Sequence, residues 1–98
     1  MVVFETRSGK SLASVDINPE PDGVYYDAKR KRIYISCGEG SIDVVARTGG
    51  DNYKLMGRIA TAKGAATSLF IPDLDRLCLA VPQRDGQQAE IRIYEVVL

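Results

Sequence analysis

Residues 32–45 read Arg32-Ile33-Tyr34-Ile35-Ser36-Cys37-Gly38-Glu39-Gly40-Ser41-Ile42-Asp43-Val44-Val45. Two short runs rich in β-branched and aromatic side chains flank a Gly-Glu-Gly turn, the pattern of neighbouring strands joined tightly. The first run carries apolar side chains on both faces and does not alternate strictly with polar ones. Ile33, Ile35 and Cys37 fall on one face and Tyr34 on the other, whereas a sheet with one solvated face alternates apolar with polar residues. Such a strand is expected to be covered on both sides.

Working outward, segments of the same kind recur. Residues 2–6 and 11–17 form a hairpin about residues 7–10, where Gly9 can adopt the positive φ of a tight turn. Pro19 and Pro21 interrupt the chain, after which residues 23–27 and 32–37 pair around the turn 28–31. Residues 41–47 and 53–60 follow, joined by a polar loop containing Gly49, Gly50, Asp51 and Asn52. Residues 66–71, 76–81 and 89–97 make three more strands, with turns at 72–75 and 82–88. No window carries a helical period, so the expected class is all-β, antiparallel and in meander order.

The segments repeat. Tyr26 aligns on Phe70 at an offset of about 44 residues, a period in the range of propeller blades. At that offset Arg32, Ile33 and Ile35 fall on Arg76, Leu77 and Leu79, and Leu12 and Val15 fall on Met56 and Ile59. After the longer loop at 83–88, Ile42 and Val44 align on Ile91 and Ile93. The reading is therefore a partial β-propeller of four-stranded antiparallel meander blades, about two blades in one domain spanning 1–98. Residues 1–17 supply third and fourth strands, 23–60 a complete blade and 66–97 a three-stranded, incomplete one. A small β-sandwich of nine strands is the alternative; it shares the strand count and does not predict the repeat.

From Asp27 and Arg32 into Ile33, Tyr34, Ile35, Ser36 and Cys37, and on through Gly38, Glu39, Gly40, Ser41, Ile42, Asp43 and Val44, the chain resembles the YVTN-repeat family of β-propellers. In that family a charged turn leads into a Tyr-Val-Thr-Asn-like strand, a Gly-containing turn and a strand of the Ile-Asp-Val-Val type. Cys37 departs from the motif's Asn, and Cys78, Leu79, Ala80 and Val81 keep the spacing without the signature. The resemblance implies commonly seven blades and, for a full-length protein, an exported or periplasmic location; it carries no active-site residues. With a fourth strand at the start and none at the end, the chain is expected to complete itself by head-to-tail homo-oligomerisation, preferably as a closed ring. The other reading is a C-terminal fragment or an engineered piece of a larger exported propeller, without a function of its own. Residues 2–6 and 89–97 both read as third strands and compete for one place.

Composition narrows the function classes. Thirteen basic and 13 acidic residues give a formal net charge of zero, so no general attraction to nucleic acid or to an anionic membrane is expected. No apolar run is long enough to span a bilayer, and residues 1–6 lack the pattern of a signal peptide; localisation stays open. The absence of histidine removes the commonest general base and transition-metal ligand. Lys63 and Ser68 form no recognised nucleophile motif, and an enzyme using channel-facing loops is the third-ranked function. Cys37 and Cys78 lack CxxC spacing and read as small core residues.

Lys29, Arg30, Lys31 and Arg32 occupy a hairpin turn and are expected to be solvated rather than to bind phosphate. Gly38 and Gly40 lack the following Lys and helix of a phosphate loop, and Asp73 and Asp75 lack the ladder of a calcium loop. No cofactor or metal is expected. Binding surfaces in such folds lie on loops around the channel, here residues 18–22, 38–40, 61–65 and 82–88, which topology places on one face. Asp22, Glu39, Lys63, Arg84 and Asp85 are the polar candidates there, for a protein partner.

Overall fold

The computed structural model describes residues 1–97. Its nine strands among the described residues form three antiparallel sheets. β1 (Val2–Phe4) and β2 (Ser11–Ser14) make a hairpin. β3 (Pro21–Asp27), β4 (Arg32–Cys37), β5 (Ser41–Gly49) and β6 (Asn52–Ala60) make a four-stranded meander. β7 (Ser68–Ile71), β8 (Arg76–Val81) and β9 (Glu90–Glu95) make a three-stranded one. The chain is all-β and antiparallel, as the alternation of strands and turns predicts.

The central sheet is covered on both faces. On its upstream face, Ile35, Cys37 and Val45 meet Val15, Met1 and Ile17 from the hairpin and the segment after it. On its downstream face, Tyr34, Ile42 and Val44 pack against Phe70, Leu77, Leu79 and Val81 of the terminal sheet. Tyr34 and Phe70 meet edge to face, with ring centroids 5.2 Å apart. Two cores thus lie on either side of one sheet, which is why Tyr34 is buried on one face of β4 as Ile35 and Cys37 are on the other.

The internal repeat holds at the level of strand pairing. Ile33↔Val45 and Ile35↔Asp43 across β4 and β5 recur as Leu77↔Tyr94 and Leu79↔Arg92 across β8 and β9. Val44↔Gly57 and Val45↔Leu55 across β5 and β6 recur as Val3↔Ala13 and Phe4↔Ser11 across β1 and β2. The turns repeat too: Lys31 and Asp75, each at the end of the first turn of its sheet, both have positive φ, 55° and 53°. β1, β5 and β9 therefore correspond to one another in their pairing, as do β2 and β6.

Several boundaries differ from expectation. β1 stops at Phe4 and β2 at Ser14 because Glu5 is drawn into the turn by bonds to Lys10 and Gly9 and because the chain beyond Val15 leaves for the central sheet. β7 begins at Ser68, since Ala65 and Ala66 close a turn onto Ala62 and Gly64. Pro72–Leu74 forms one turn of 3-10 helix where only a turn was expected, with the preset φ of Pro72 starting it. β9 ends at Glu95, where its pairing with Arg76 ends, whereas β5 runs on to Gly49 because β6 pairs with its far half. Cys37 is buried as predicted, but Cys78 is only half-buried, because no sheet covers the downstream face of β8.

Candidate functional site

Two polar clusters fix the stack, and neither was expected from sequence. Arg30 is not a solvated turn residue: its side chain is 5% exposed. Its Nη1 donates to Asp27 Oδ2 at 3.2 Å and to Asp75 Oδ1 at 3.0 Å, and its Nη2 donates to the Val96 carbonyl. Tyr34 Oη donates to Asp27 at 2.7 Å. Burial alone would raise the Asp27 pKa, yet the bonds from Tyr34 and Arg30 hold it below the usual carboxylate value; burial and Asp27 together push Tyr34 up to about 12. The cluster bolts the central sheet to the terminal one. Of the basic run, then, one member is structural.

Asp43, fully buried, is the second bolt. It accepts from the Asn18 amide at 2.8 Å, from Ser41 Oγ at 2.7 Å and from Nε and Nη2 of Arg58 at 3.0 Å each. Burial opposes its charge, and these donors outweigh burial and keep its pKa low. Asn18 lies in the segment from the hairpin, so the carboxylate ties the upstream layer to the central one. Between the sheets, Ser68 Oγ lies 2.7 Å from Ser36 Oγ and Tyr25 donates to the Ser68 carbonyl; Ser68 makes no hydrogen bond to Lys63 among the described residues.

The four loops named from topology do meet on one face. The Gly38 amide donates to the Glu20 carbonyl, Gly64 to Gly38 and Thr61 to Gly40. Gln87 Nε2 reaches the Lys63 and Pro82 carbonyls. Lys63, Arg84 and Asp85 gather with Gln87 around a surface hollow of ≈ 520 Å³. Glu39 is exposed on the neighbouring turn, while Asp22 is exposed in β3 and shares no hydrogen bond with the other four among the described residues. No group of three potential metal ligands occurs among the described residues, and no helix there is long and apolar enough to cross a membrane.

The larger unsatisfied surfaces are apolar and lie at the two ends of the stack. Ile42 and Val44, on the downstream face of the central sheet, are 1% and 9% exposed; their equivalents Ile91 and Ile93 on the terminal sheet are 67% and 66% exposed. Leu69 stands beside them, with half-buried Cys78 and Ala80 between the strands. At the other end, Val2 and Phe4 of β1 are also open, at 50% and 58%. The same logic accounts for Tyr26, half exposed where its equivalent Phe70 is buried: the hairpin layer has no first or second strand to lie under it. Selecting polar loop residues as candidates passed over these faces, although the alignment of Ile42 and Val44 on Ile91 and Ile93 marks them.

What the fold defines is a stack of antiparallel meander sheets with exposed apolar side chains at its two ends. Comparison of the chain with protein-family models, with curated proteins and with solved structures finds no match.

Proposed function

We propose that this chain is a non-enzymatic interaction and scaffold module of β-propeller type, of the YVTN-repeat kind that residues 27–45 resemble, and that it works as a head-to-tail assembly of its own copies. The observation that supports this most is the exposure of Ile91 and Ile93 at positions whose repeat equivalents, Ile42 and Val44, are buried by the next sheet. A face built to receive a sheet, and lacking one, matches the open face of β1 at the opposite end of the same chain. Contact between unlike ends is heterologous, and it closes into a ring or runs on as a filament according to the rotation per copy.

The test is solution mass by light scattering coupled to size exclusion, over a dilution series, on the wild type and on Leu69→Lys. A discrete assembly in the wild type, reduced to folded monomer by Leu69→Lys, is the expected result. A wild type that is monomeric at every concentration sinks the proposal.

The loop face supports a second reading, capture of a protein partner, because Lys63, Arg84 and Asp85 share one hollow beside Glu39. Simultaneous Glu39→Ala, Lys63→Ala and Arg84→Ala is then expected to abolish capture with folding and mass unchanged.

A further inference from the structure

The central sheet is electrically polarised along its strands. At the end that carries its two hairpin turns, residues 27–32 and 47–54 hold six basic side chains against the carboxylates of Asp27 and Asp51. The other end carries Glu20, Asp22 and Glu39, all exposed, against Lys63. A formal net charge of zero thus conceals a basic end. Several of its cations are committed: Arg30 is buried on Asp27 and Asp75, Lys29 stands 4.0 Å from Asp75, and Arg32 donates to the Val97 carbonyl. Lys31 and Arg47 are exposed, and neither has a carboxylate within 4.0 Å among the described residues.

These two side chains line one hollow of ≈ 230 Å³, together with Thr48, Gly49 and Gly50. The Arg47 amide donates to the Lys31 carbonyl at 2.9 Å and so ties the two turns together. Arg47 Nε donates to the Gly50 carbonyl at 2.8 Å, and its two terminal nitrogens make no hydrogen bond among the described residues. A guanidinium fixed in this way presents a fork that can grip an oxyanion through two parallel bonds, with part of the ordering cost already met. A Cβ on Gly49 or Gly50 would meet no atom within 4 Å, so the space beside the turn is open. The strands that carry Lys31 and Arg47 into the hollow, β4 and β5, each have a partner on both edges. The hollow is therefore complete within the central sheet and is not the place of an absent strand.

We infer that this hollow is a binding site for a carboxylate on an acidic segment of a partner polypeptide, with the Arg47 fork gripping the carboxylate and Lys31 supplying the second positive charge. Two cations in one hollow, with Asp51 on the same turn, suit discrete carboxylates. Double-stranded nucleic acid presents one charge per about 1.7 Å of its axis and is met by a continuous cationic track. Here exposed Asp51, Asp73 and Glu95 interrupt any such track on this side of the molecule. The site lies at the opposite end of the strands from the loop hollow of Lys63 and Arg84, and it depends neither on that hollow nor on assembly through the apolar ends.

The probe is a fluorescently labelled synthetic peptide, Gly-Gly-Asp-Glu-Asp-Glu-Gly-Gly, titrated into the full chain by polarisation at physiological ionic strength. Its amide counterpart, Gly-Gly-Asn-Gln-Asn-Gln-Gly-Gly, is titrated alongside, and backbone shifts are followed by NMR. Saturable binding of the acidic peptide alone is expected, with shifts at Lys31 and residues 47–50. Arg47→Gln is expected to weaken binding by about ten-fold or more, as loss of hydrogen bonds to a charged group does. Arg47→Lys, which keeps the charge without the fork, gives a smaller loss. Lys31→Gln weakens binding too, and its exposed side chain leaves the fold undisturbed. Arg76→Gln removes the same charge from the equivalent turn of the terminal sheet and leaves binding within about two-fold, since charges more than about 8 Å apart are screened at this ionic strength. No saturable binding, equal binding of the amide peptide, shifts centred on the loop face, or an equal loss from Arg76→Gln overturns the inference. So does a single-stranded oligonucleotide or a phosphatidylserine vesicle that displaces the peptide and binds more tightly, since the hollow would then be a phosphate site.

Discussion

Leu12 and Met56 are the same bulge made twice. In the first hairpin the partners of Val3 and Phe4 are Ala13 and Ser11, so Leu12 is left over; between β5 and β6 the partners of Val44 and Val45 are Gly57 and Leu55, and Met56 is left over. A bulge inserts one residue and bends its strand, so its recurrence at the aligned position means that the two hairpins share their curvature as well as their sequence period. The short β1–β2 hairpin is therefore the outer half of a sheet like the central one. The exposure of every large apolar side chain at the ends can be read against that equivalence.

Leu79 and Leu69 give the sharpest contrast in stability. Leu79 is fully buried between the sheets and Leu69 is 56% exposed on the end face. Leu79→Ala is expected to cost about 3 kcal/mol through lost burial and a residual cavity. Leu69→Ala is expected to stay within about 0.5 kcal/mol in the dissociated chain. Urea denaturation at high dilution checks both, and a large effect of Leu69→Ala in a monomer would mean that the end face is covered within the chain.

Acid should loosen both junctions, and alkali the one between the central and terminal sheets. The pKa values of Asp27 and Asp43 lie below the ordinary 3.8 in the folded chain. Their stabilising contribution is thus complete above the unfolded value and is lost as pH falls through the folded values. Tyr34 is raised from 10.0 to about 12, so its contribution is complete below 10.0 and is lost as pH rises toward 12. Denaturation midpoints measured across pH are expected to fall at both ends. Asp43→Asn should flatten the acid limb and Tyr34→Phe the alkaline one; an unchanged acid limb in Asp43→Asn would place the acid sensitivity elsewhere.

Removing the Asp43 carboxylate is expected to free the hairpin layer before the rest. Asp43→Ala leaves the Asn18 amide and the Ser41 hydroxyl without their acceptor, at about 1–3 kcal/mol for each group that stays buried; Arg58, 43% exposed, can turn to water. Amide exchange should then accelerate across β1, β2 and residues 15–18, with β7–β9 unaffected. Equal acceleration in both end layers would show that Asp43 stabilises the whole stack and not one junction.

Strand order, the repeat and the double burial of β4 were all legible in residues 32–45 and their counterparts, because period-two patterning and turn residues are local signals. The candidate loops also meet as topology required. The clusters were not legible. Arg30 sits in a run of four cations that reads as a solvated turn, and its burial comes from Asp75 and the Val96 carbonyl, 45 and 66 residues away in sequence. Likewise Ile59 and Ile93 read as ordinary strand residues, since exposure at a sheet end depends on which neighbouring strand is missing. The nature of the open ends becomes visible only when each residue is compared with its buried equivalent.

Gly23 tests the closeness of the central and terminal sheets. A Cβ at this position would stand 2.3 Å from Ser68 Oγ and 2.7 Å from Ser36 Oγ. Neither hydroxyl is free to swing away, because Ser36 Oγ is held by the Gly23 amide, the Ala66 carbonyl and Ser68 itself. Glycine is needed here for room, since its φ is not positive. Gly23→Ala is expected to destabilise by about 1–3 kcal/mol through overpacking. Ser68→Ala removes the nearer obstacle, so the double variant should recover part of that loss, with a favourable coupling of about 0.5–3 kcal/mol in the double-mutant cycle. Recovery locates the strain at the junction of β3 with β7; simple additivity would mean that alanine at position 23 acts on its own strand and that the two sheets do not meet there.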